Sequence, residues 1–192
     1  MTKIAIVVGN PVHGSYCEAL GEAYLRGAES AGYEAKLFLL SRMKFEPVLR
    51  EGYWREQPLE PDLVAARQAL QTSDHWALIF PLWCGDMPAI MKGFIERVLQ
   101  PDLLAIQASG GKASWKIFKG KSARVIMTMG MPGWFYRWYY GGHALKLLKR
   151  NILHFTGVAP VLSNIYGMVE AVGDETRKQW LREVEALGHQ AQ

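Results

Sequence analysis

The sequence predicts an α/β protein whose strands form a parallel sheet. Short apolar runs alternate with amphipathic helical segments in five repeats along the 192 residues, which is the pattern of βαβ units. The run Trp76 to Phe80 contains no charged residue, as is typical of a strand buried on both faces. The chain has no internal repeat and no linker, so residues 1-192 are predicted to form a single domain.

The other elements follow from periodicity and from breaking residues. The predicted strands are Lys3 to Val8, Tyr33 to Leu40, Trp76 to Phe80, Ser122 to Thr128 and Ala159 to Ile165. The predicted helices are Tyr16 to Ala31, Asp62 to Thr72, His143 to Phe155 and Asp174 to Leu187, with Asp174 near the last N-cap. Proline and glycine make Ser41 to Pro61 irregular. Gln100 to Lys121 is a loop long enough to be a binding element or a flap.

The stretch Trp76 to Leu99 organises the rest of the chain. Its buried strand leads into a tight loop, Pro81 to Asp86, and then into a helix whose first turn tolerates Pro88. The apolar stripe of that helix is predicted to be Ile90, Ile95 and Val98, with Phe94 beside it. The loop offers flat or small groups, with no acid–base pair and no metal ligands. Because ligands of open α/β sheets lie beyond the carboxyl ends of the strands, we expect half of a crevice for a planar aromatic ligand here.

The composition is that of an ordinary globular protein. Hydrophobic residues make up 49% and charged residues 21%, and no apolar run approaches the roughly 20 residues that span a bilayer. The apolar run at the N-terminus is too short for a signal peptide. Cys17 and Cys84 make no disulfide framework and no zinc pattern, and the histidines show no metal-ligand spacing, so a reducing cytoplasm is expected.

The net charge of +4 is unevenly distributed. Residues 103–169 include nine Lys or Arg and no Asp or Glu, which leaves 13 basic and 18 acidic residues elsewhere, a charge of −5. This basic half favours an anionic small molecule as a partner. Nucleic acid is the competing interpretation, but no base-reading motif accompanies the charge.

The sequence does not match either of two standard nucleotide-binding motifs. The segment Gly9 to Gly14 lacks the glycine spacing of a dinucleotide fingerprint. Gly120-Lys121-Ser122 resembles the end of a P-loop, but Trp115 stands where the first glycine belongs and a strand follows. What remains is a polar loop that feeds a helix N-terminus, a site where phosphate binds directly. Its residues are Asn10, His13, Ser15, Tyr16 and Cys17. Simple capping of the helix by Ser15 is the alternative.

Three loops must therefore be considered together. The first has phosphate-binding character, the second (Leu82, Trp83, Cys84) is aromatic, and the third (Thr128, Met129, Gly130) is small and flexible. In a doubly wound sheet of order 2-1-3-4-5, these loops converge at the switch point of the topology.

Two stretches carry a resemblance to a known family. They are Phe80-Pro81-Leu82-Trp83 followed by Met87 to Leu99, and the looser match Ile152 to Gly157. On these residues the chain resembles the flavodoxin-like NAD(P)H:quinone reductases, which include the modulator-of-drug-activity and ancillary potassium-efflux proteins. The resemblance extends from about Lys3 to Leu187.

The resemblance implies a flavodoxin-like three-layer sandwich with a five-stranded parallel sheet of order 2-1-3-4-5. It also implies a tightly bound flavin, FMN or alternatively FAD, and two-electron transfer by hydride. Carried over residue by residue, the phosphate ligands are Asn10, Ser15, Tyr16 and Cys17. The isoalloxazine is lined by Pro81, Leu82, Trp83 and Cys84, and its polar edge meets Thr128, Met129 and Gly130. Two residues depart from the family pattern, Asn10 where a histidine is common and Met131 where a second glycine is common.

Tyr136 and His143 are the catalytic candidates. Some family members place a tyrosine and a later histidine beside the flavin, where they stabilise charge as the hydride moves. Tyr136 falls at the tyrosine position, and His143 is one residue out of register with the histidine. The alternative is that Tyr136 packs within the aromatic run Trp134 to Tyr140.

The leading functional hypothesis is an NAD(P)H-dependent flavin oxidoreductase that reduces a quinone or a similar planar acceptor by a ping-pong cycle. Gln107 to Lys121, with its lysines, and the run Trp134 to Tyr140 are the candidate walls of the second substrate site. Exposed aromatic residues in such number favour a homodimer. The alternatives are a flavin-binding regulatory subunit of a potassium-efflux transporter and a single-electron carrier, although carriers of that kind are usually acidic.

Overall fold

A computed structural model of the chain describes residues 1–52, 54–99 and 116–191. Its centre is a five-stranded, all-parallel sheet of order β2-β1-β3-β4-β5, which confirms the predicted topology. The strands are β1 Lys3–Val8, β2 Glu34–Leu39, β3 His75–Pro81, β4 Ser122–Thr128 and β5 Val161–Tyr166. The predicted and observed strand ends differ by at most two residues. The larger shift is at β5, which begins after Pro160 because proline cannot donate to a strand ladder.

Helices cover both faces of the sheet. They are α1 Tyr16–Ser30, α2 Pro61–Thr72, α3 Ala89–Val98, α4 Gly133–Trp138, α5 His143–Lys146, α6 His154–Thr156 and α7 Asp174–His189. The predicted helix from His143 to Phe155 is present, but its middle, Leu147–Leu153, has π-helical hydrogen bonding. This segment joins α5 to α6. Gly157, with φ +98°, is the C-cap of α6.

Successive strand residues point to opposite faces and so build two cores. In β1, Ile4, Ile6 and Val8 contribute to the core that also contains buried residues of α1 and α7. Ala5 and Val7 contribute to the core that contains buried residues of α2 and α3. The carboxyl ends of β1, β3 and β4 lie side by side, because the three strands are neighbours in the sheet. The loops that follow them therefore share one edge of the sheet.

The buried face of helix α3 differs from the predicted apolar stripe at one position. Ile95 and Val98 are buried as expected, but Ile90 is only half-buried and Met91 is fully buried instead. The reason is close contact with the end of β1, since a Cβ added to Gly9 would lie 2.5 Å from Met91 Sδ. Glycine at position 9 thus lets α3 approach the start of the first loop.

A fully buried arginine fixes the irregular segment that precedes α2. Arg97 of α3 donates to the carbonyl oxygens of Glu46 and Pro58, the latter at 2.6 Å, and to the Glu60 carboxylate at 3.0 Å. These contacts satisfy most of a charge that is costly to bury alone. They give the stretch from 41 to 60, which lacks regular structure in its described part, a defined path over α3.

Within the described residues, no helix combines the length and the apolar character that crossing a bilayer requires.

Candidate functional site

The first loop ends in the N-terminus of α1. Ser15 is the N-cap, and its side-chain oxygen accepts the N–H of Glu18 at 3.4 Å. The Ser15 carbonyl oxygen accepts the N–H of Ala19. In the part of the chain that the structure describes, the N–H groups of Ser15, Tyr16 and Cys17 have no protein acceptor. Three free donors and the positive end of the helix dipole make this turn suitable for an anion.

The placement of Glu18 decides whether the N–H of Ser15 stays free. Ser15 and Glu18 have the spacing of a capping box, in which the acid ordinarily accepts the N–H of the N-cap residue itself. Here the Glu18 carboxylate accepts the N–H of Gly14 instead, at 3.0 Å. It also lies 3.3 Å from His13 Nδ1 and is bonded by the guanidinium of Arg42. Gly14 is suited to this geometry because its φ is +68°.

The electrostatics of Glu18 follow from those partners. Burial, with only 4% of the residue exposed, acts to raise the pKa of its carboxyl group. The hydrogen bonds from Gly14, His13 and Arg42, with the charge of Arg42, outweigh burial and lower that pKa below its ordinary value. A buried carboxylate therefore stands beside the candidate phosphate site, and Arg42 balances its charge.

Asn10 and Cys17 form the floor of the first loop. Asn10 is buried, and its Oδ1 accepts the N–H of Val12 at 2.9 Å. Its amide nitrogen therefore points away from the Val12 N–H. The Cys17 thiol lies 3.3 Å from Thr128 Oγ1 in the interior. Burial raises the pKa of Cys17, although its hydrogen bonds with Thr128 and Asn10 act in the opposite direction. Cys17 is thus a neutral thiol at pH 7 that joins the first loop to the third.

Tyr16 contributes its backbone rather than its side chain. Its hydroxyl donates to the carbonyl oxygen of Arg177 at 2.8 Å, so the ring is directed toward α7. Burial raises the pKa of Tyr16 to about 12, despite the opposing charge of Arg177. The side-chain hydroxyl is therefore engaged in structure, and only the N–H of this residue is available for a ligand.

The second loop is a tight turn that presents an aromatic ring. Trp83 and Asp86 exchange two backbone hydrogen bonds of 2.8 and 2.9 Å, and the residues between them have positive φ angles of 49° and 82°. Those residues are Cys84 and Gly85. The turn leaves 43% of Trp83 exposed. It is fastened to the third loop by a bond from the Leu82 N–H to the Thr128 carbonyl oxygen of 2.8 Å.

The third loop begins where β4 ends. Thr128 and Met129 are buried, and the Met129 N–H is bonded to the carbonyl oxygen of Tyr166 at 2.9 Å. Gly130 is exposed, and a Cβ added to it would meet no atom of the described residues within 4 Å. Among those residues, the backbone at Gly130 therefore faces an open space beside the loop that carries Trp83. That space is the kind of cradle in which the polar edge of a flat ring can lie.

Tyr136 is nearly inaccessible, with 1% of the residue exposed. Its Oη accepts the N–H of Leu145 at 3.2 Å, at the beginning of the helical segment after the aromatic run. Burial raises the pKa of this hydroxyl, and the charge of Asp86 in the second loop adds to that effect, while the N–H groups of Leu145 and Ala144 oppose it. Tyr136 thus lies close to the second loop as a protonated hydroxyl. His143 is exposed, with its ring against Gly141.

The structure thus brings all three predicted loops to one edge of the sheet. The cofactor-binding candidates occupy these loops, although Tyr16, Pro81 and Met129 offer backbone or packing rather than a free side chain. Two residues were missed by the sequence analysis, Glu18 and Arg42. The capping-box spacing of Ser15 and Glu18 was the available signal for the first, whereas the position of Arg42 depends on the pairing of β2 with β1. Most of the predicted wall Gln107 to Lys121 lies outside the described residues.

The residues present fit a flavin. A terminal phosphate matches the free donors at the start of α1, and the exposed ring of Trp83 and the open space at Gly130 match a flat heterocycle with polar edges. The described residues include no group of three His, Cys, Asp or Glu side chains that could hold a metal ion.

Known proteins with similar sequences are named as oxidoreductases. The chain is 25% identical over 143 residues to an uncharacterised NAD(P)H oxidoreductase of Haemophilus influenzae, an alignment that covers 72% of this chain and 70% of that protein. It is 28% identical over 117 residues to NAD(P)H dehydrogenase [quinone] 1 of Rattus norvegicus, with 50% of this chain and 43% of the rat protein covered. The chain thus spans less than half of the rat enzyme.

A solved structure and a family model also match the chain. The NAD(P)H:quinone oxidoreductase of Methanothermobacter marburgensis superposes with a TM-score of 0.78 at 23% identity, covering 98% of this chain and 96% of that one. The family defined by a flavodoxin-like fold matches residues 2–187. With its sheet order and the three loops at one edge of the sheet, the chain belongs to this flavodoxin-like family.

Proposed function

We propose that this protein is a flavin-dependent NAD(P)H oxidoreductase of the quinone-reductase type, which transfers hydride from NAD(P)H to a quinone or a similar planar acceptor. One observation carries the proposal. The free N–H groups at the start of α1, the exposed ring of Trp83 and the open backbone at Gly130 lie on loops that are hydrogen-bonded together at one edge of the sheet. The names of the relatives support the same reaction class.

A bound flavin would supply the chemistry that accepts and passes on hydride, and the chain supplies orientation and electrostatics. The N–H groups of Ser15, Tyr16 and Cys17 bind the phosphate, with the Asn10 amide beside them. Trp83 covers the ring, and the exposed backbone of Gly130 faces its polar edge. FMN is proposed over FAD, because three donors at one helix N-terminus match a single terminal phosphate.

Tyr136 donates a hydrogen bond where negative charge develops during hydride transfer. The N–H of Leu145 occupies a lone pair of its hydroxyl oxygen, so the hydroxyl hydrogen is left to donate. Its raised pKa keeps that hydrogen in place at neutral pH. His143 is close in sequence to Tyr136 and is exposed, and we propose that it takes part on the substrate side of the site.

The acceptor and the coenzyme enter from the side on which the chain is basic and aromatic. Within residues 133–140, four aromatic residues are more than two fifths exposed: Trp134, Trp138, Tyr139 and Tyr140. Such a surface supports a homodimer whose partner closes the site. Both cysteines are free, which suits the reducing cytoplasm in which this protein is proposed to act. A transporter-regulating role gains no support from the relatives, which are named as oxidoreductases.

The experiment that tests this function begins with the purified protein as it is expressed. We expect a flavin absorbance spectrum, and release of a compound with the mass of FMN on denaturation. Steady-state rates with NADPH or NADH and a soluble quinone should give parallel double-reciprocal lines, the pattern of a ping-pong cycle. Free FMN at the same concentration is the control for non-enzymatic reduction. A colourless protein that takes up neither FMN nor FAD would overturn the proposal.

A further inference from the structure

The starting point is the placement of a buried acid next to a site for an anion. Glu18 occupies the third residue of α1, with 4% of it exposed, where a carboxylate would repel a phosphate bound at the same turn. The contacts of Glu18 and the free N–H groups of Ser15, Tyr16 and Cys17 explain why an acid occupies this position.

The contacts of Glu18 hold the first loop at its far end. Its carboxylate accepts the Gly14 N–H at 3.0 Å and so fixes a residue whose φ of +68° turns the loop into the helix. In an ordinary capping box, the acid would instead occupy the N–H of Ser15. Because Glu18 accepts from Gly14 rather than from Ser15, the Ser15 N–H has no acceptor among residues 1–52, 54–99 and 116–191, and it lies next to the N–H groups of Tyr16 and Cys17.

Arg42 resolves the charge conflict. It follows β2, which pairs with β1 along its whole length, so the residue reaches the first loop from the neighbouring strand. Its guanidinium bonds one Glu18 oxygen while 56% of its side chain remains exposed. The pair is neutral overall, so the Glu18 carboxylate repels a bound phosphate less than an unpaired carboxylate would.

We propose that Glu18, braced by Arg42, is a positioning residue that holds the first loop in the form that accepts the cofactor phosphate. This inference rests on the proposed flavin function and adds the element that decides how the phosphate is recognised. Glu18 touches no ligand. It acts by accepting the Gly14 N–H, which leaves the Ser15 N–H free beside the first-turn donors of Tyr16 and Cys17.

The test compares a flavin that carries the phosphate with one that lacks it. The full chain, stripped of flavin, is titrated with FMN and with riboflavin, and binding is followed by quenching of flavin fluorescence. We expect Glu18→Ala to weaken FMN binding about tenfold, since a hydrogen bond to a charged group is lost and the loop is released. Riboflavin binding should change less than about twofold, because the ring-binding loops are untouched.

Two further variants separate positioning from folding. Glu18→Gln keeps an oxygen that can accept from Gly14, so it should recover FMN affinity to within about threefold of the native value. Arg42→Met alters an exposed side chain and should weaken FMN binding about fivefold with riboflavin unchanged. Glu22→Ala is the matched control, because Glu22 is an exposed acid one turn further along α1 and should have no effect.

The outcomes are distinguishable. Equal losses for FMN and riboflavin in Glu18→Ala and Arg42→Met, or no loss in either variant, would overturn the positioning role and leave the flavin function standing. A native protein that binds neither flavin would overturn both together. Selective loss of FMN, with recovery in Glu18→Gln, supports the proposal.

Discussion

At the scale of single residues, the site is built mainly from backbone groups whose availability depends on a few side chains. Glu18 accepts the Gly14 N–H and so leaves that of Ser15 free, Thr128 joins two loops through its side chain and its carbonyl oxygen, and Gly9 leaves room for the Met91 side chain. In the proposed site, these residues shape the loops without contacting the ligand. Trp83 is different, because its exposed ring is itself a candidate contact.

Replacement of Trp83 tests that contact directly. We expect Trp83→Ala to weaken FMN binding about five- to tenfold, since stacking of aromatic rings contributes roughly 0.5–1.5 kcal/mol beyond area burial, and Trp83→Phe to retain most of the affinity. Flavin fluorescence titration measures both. Trp54→Ala is the control, because Trp54 is 94% exposed in the irregular segment before α2. An effect of Trp54→Ala as large as that of Trp83→Ala would show that the loss is not local to the second loop.

Tyr136 offers a test that separates catalysis from packing. Tyr136→Phe keeps the ring but removes the acceptor of the Leu145 N–H, so we expect a stability loss of about 1 kcal/mol. If the hydroxyl also stabilises developing charge, the rate of flavin reduction by NADPH should fall about tenfold with FMN affinity unchanged. Stopped-flow absorbance gives the rate and urea unfolding gives the stability. Tyr33→Phe, at a half-buried tyrosine that directly precedes β2 at the opposite end of the strands, should change neither. An unaltered rate in Tyr136→Phe would assign the residue to packing alone.

The sequence was informative about the loops and silent about their supports. Trp83, Ser15 and Gly130 could be named because each stands directly after a recognisable strand or before a recognisable helix. Arg42 and Arg97 could not, since their partners lie 24 and up to 51 residues away in the chain and no local pattern links them. Met91 falls outside the predicted stripe because the close approach of α3 to Gly9 has no local signal in the sequence.

At the scale of elements, β1 and β3 are predictable because each is a short apolar run between turn residues, whereas Glu34 and Lys36 interrupt the apolar pattern of β2. Helix ends were nearly as clear. The π-helical hydrogen bonding of Leu147–Leu153 was not, since the apolar spacing there is that of an ordinary helix. The irregular segment before α2 illustrates the same limit, because a single buried side chain from α3 fixes its path.

Removal of that side chain should loosen the segment. We expect Arg97→Met to cost about 3 kcal/mol of unfolding free energy, because it leaves the Glu60 carboxylate and two carbonyl oxygens without their donor. Urea denaturation gives the magnitude, and limited proteolysis should detect new cleavage between residues 41 and 60. Arg50→Met is the matched control. Arg50 pairs with Glu46 at 2.8 Å on the surface, where such a pair contributes less than about 1 kcal/mol. Equal stability losses in the two variants would contradict the role assigned to Arg97.

At the scale of the whole molecule, the two ends of the parallel strands carry different groups. The carboxyl ends of the strands carry the candidate site, whereas the amino ends of β3 and β4 carry a buried polar cluster. His75 begins β3 with 2% of the residue exposed, and its ring nitrogens lie 2.8 Å from Ser122 Oγ and 3.0 Å from Tyr24 Oη. Burial, together with the charge of Arg124, lowers the pKa of His75 from 6.5 to about 4.

That shift predicts a pH dependence of global stability. The unfolded chain takes up a proton at His75 as the pH falls through 6.5, while the folded chain does not until about pH 4, so stability falls with pH over this range. The loss from this residue between pH 7 and pH 5 is about 2 kcal/mol. The window avoids the carboxylates, whose ordinary pKa values lie near 4.

Urea unfolding of the flavin-free protein at pH 7, 6 and 5 measures this loss of stability. His75→Gln should be less stable at pH 7 but should show little further loss at pH 5, whereas His154→Gln, at an exposed histidine, should keep the native slope. If His75→Gln lost as much stability between pH 7 and pH 5 as the native chain, the pH dependence would have to arise from other groups, and the buried cluster would not be its source.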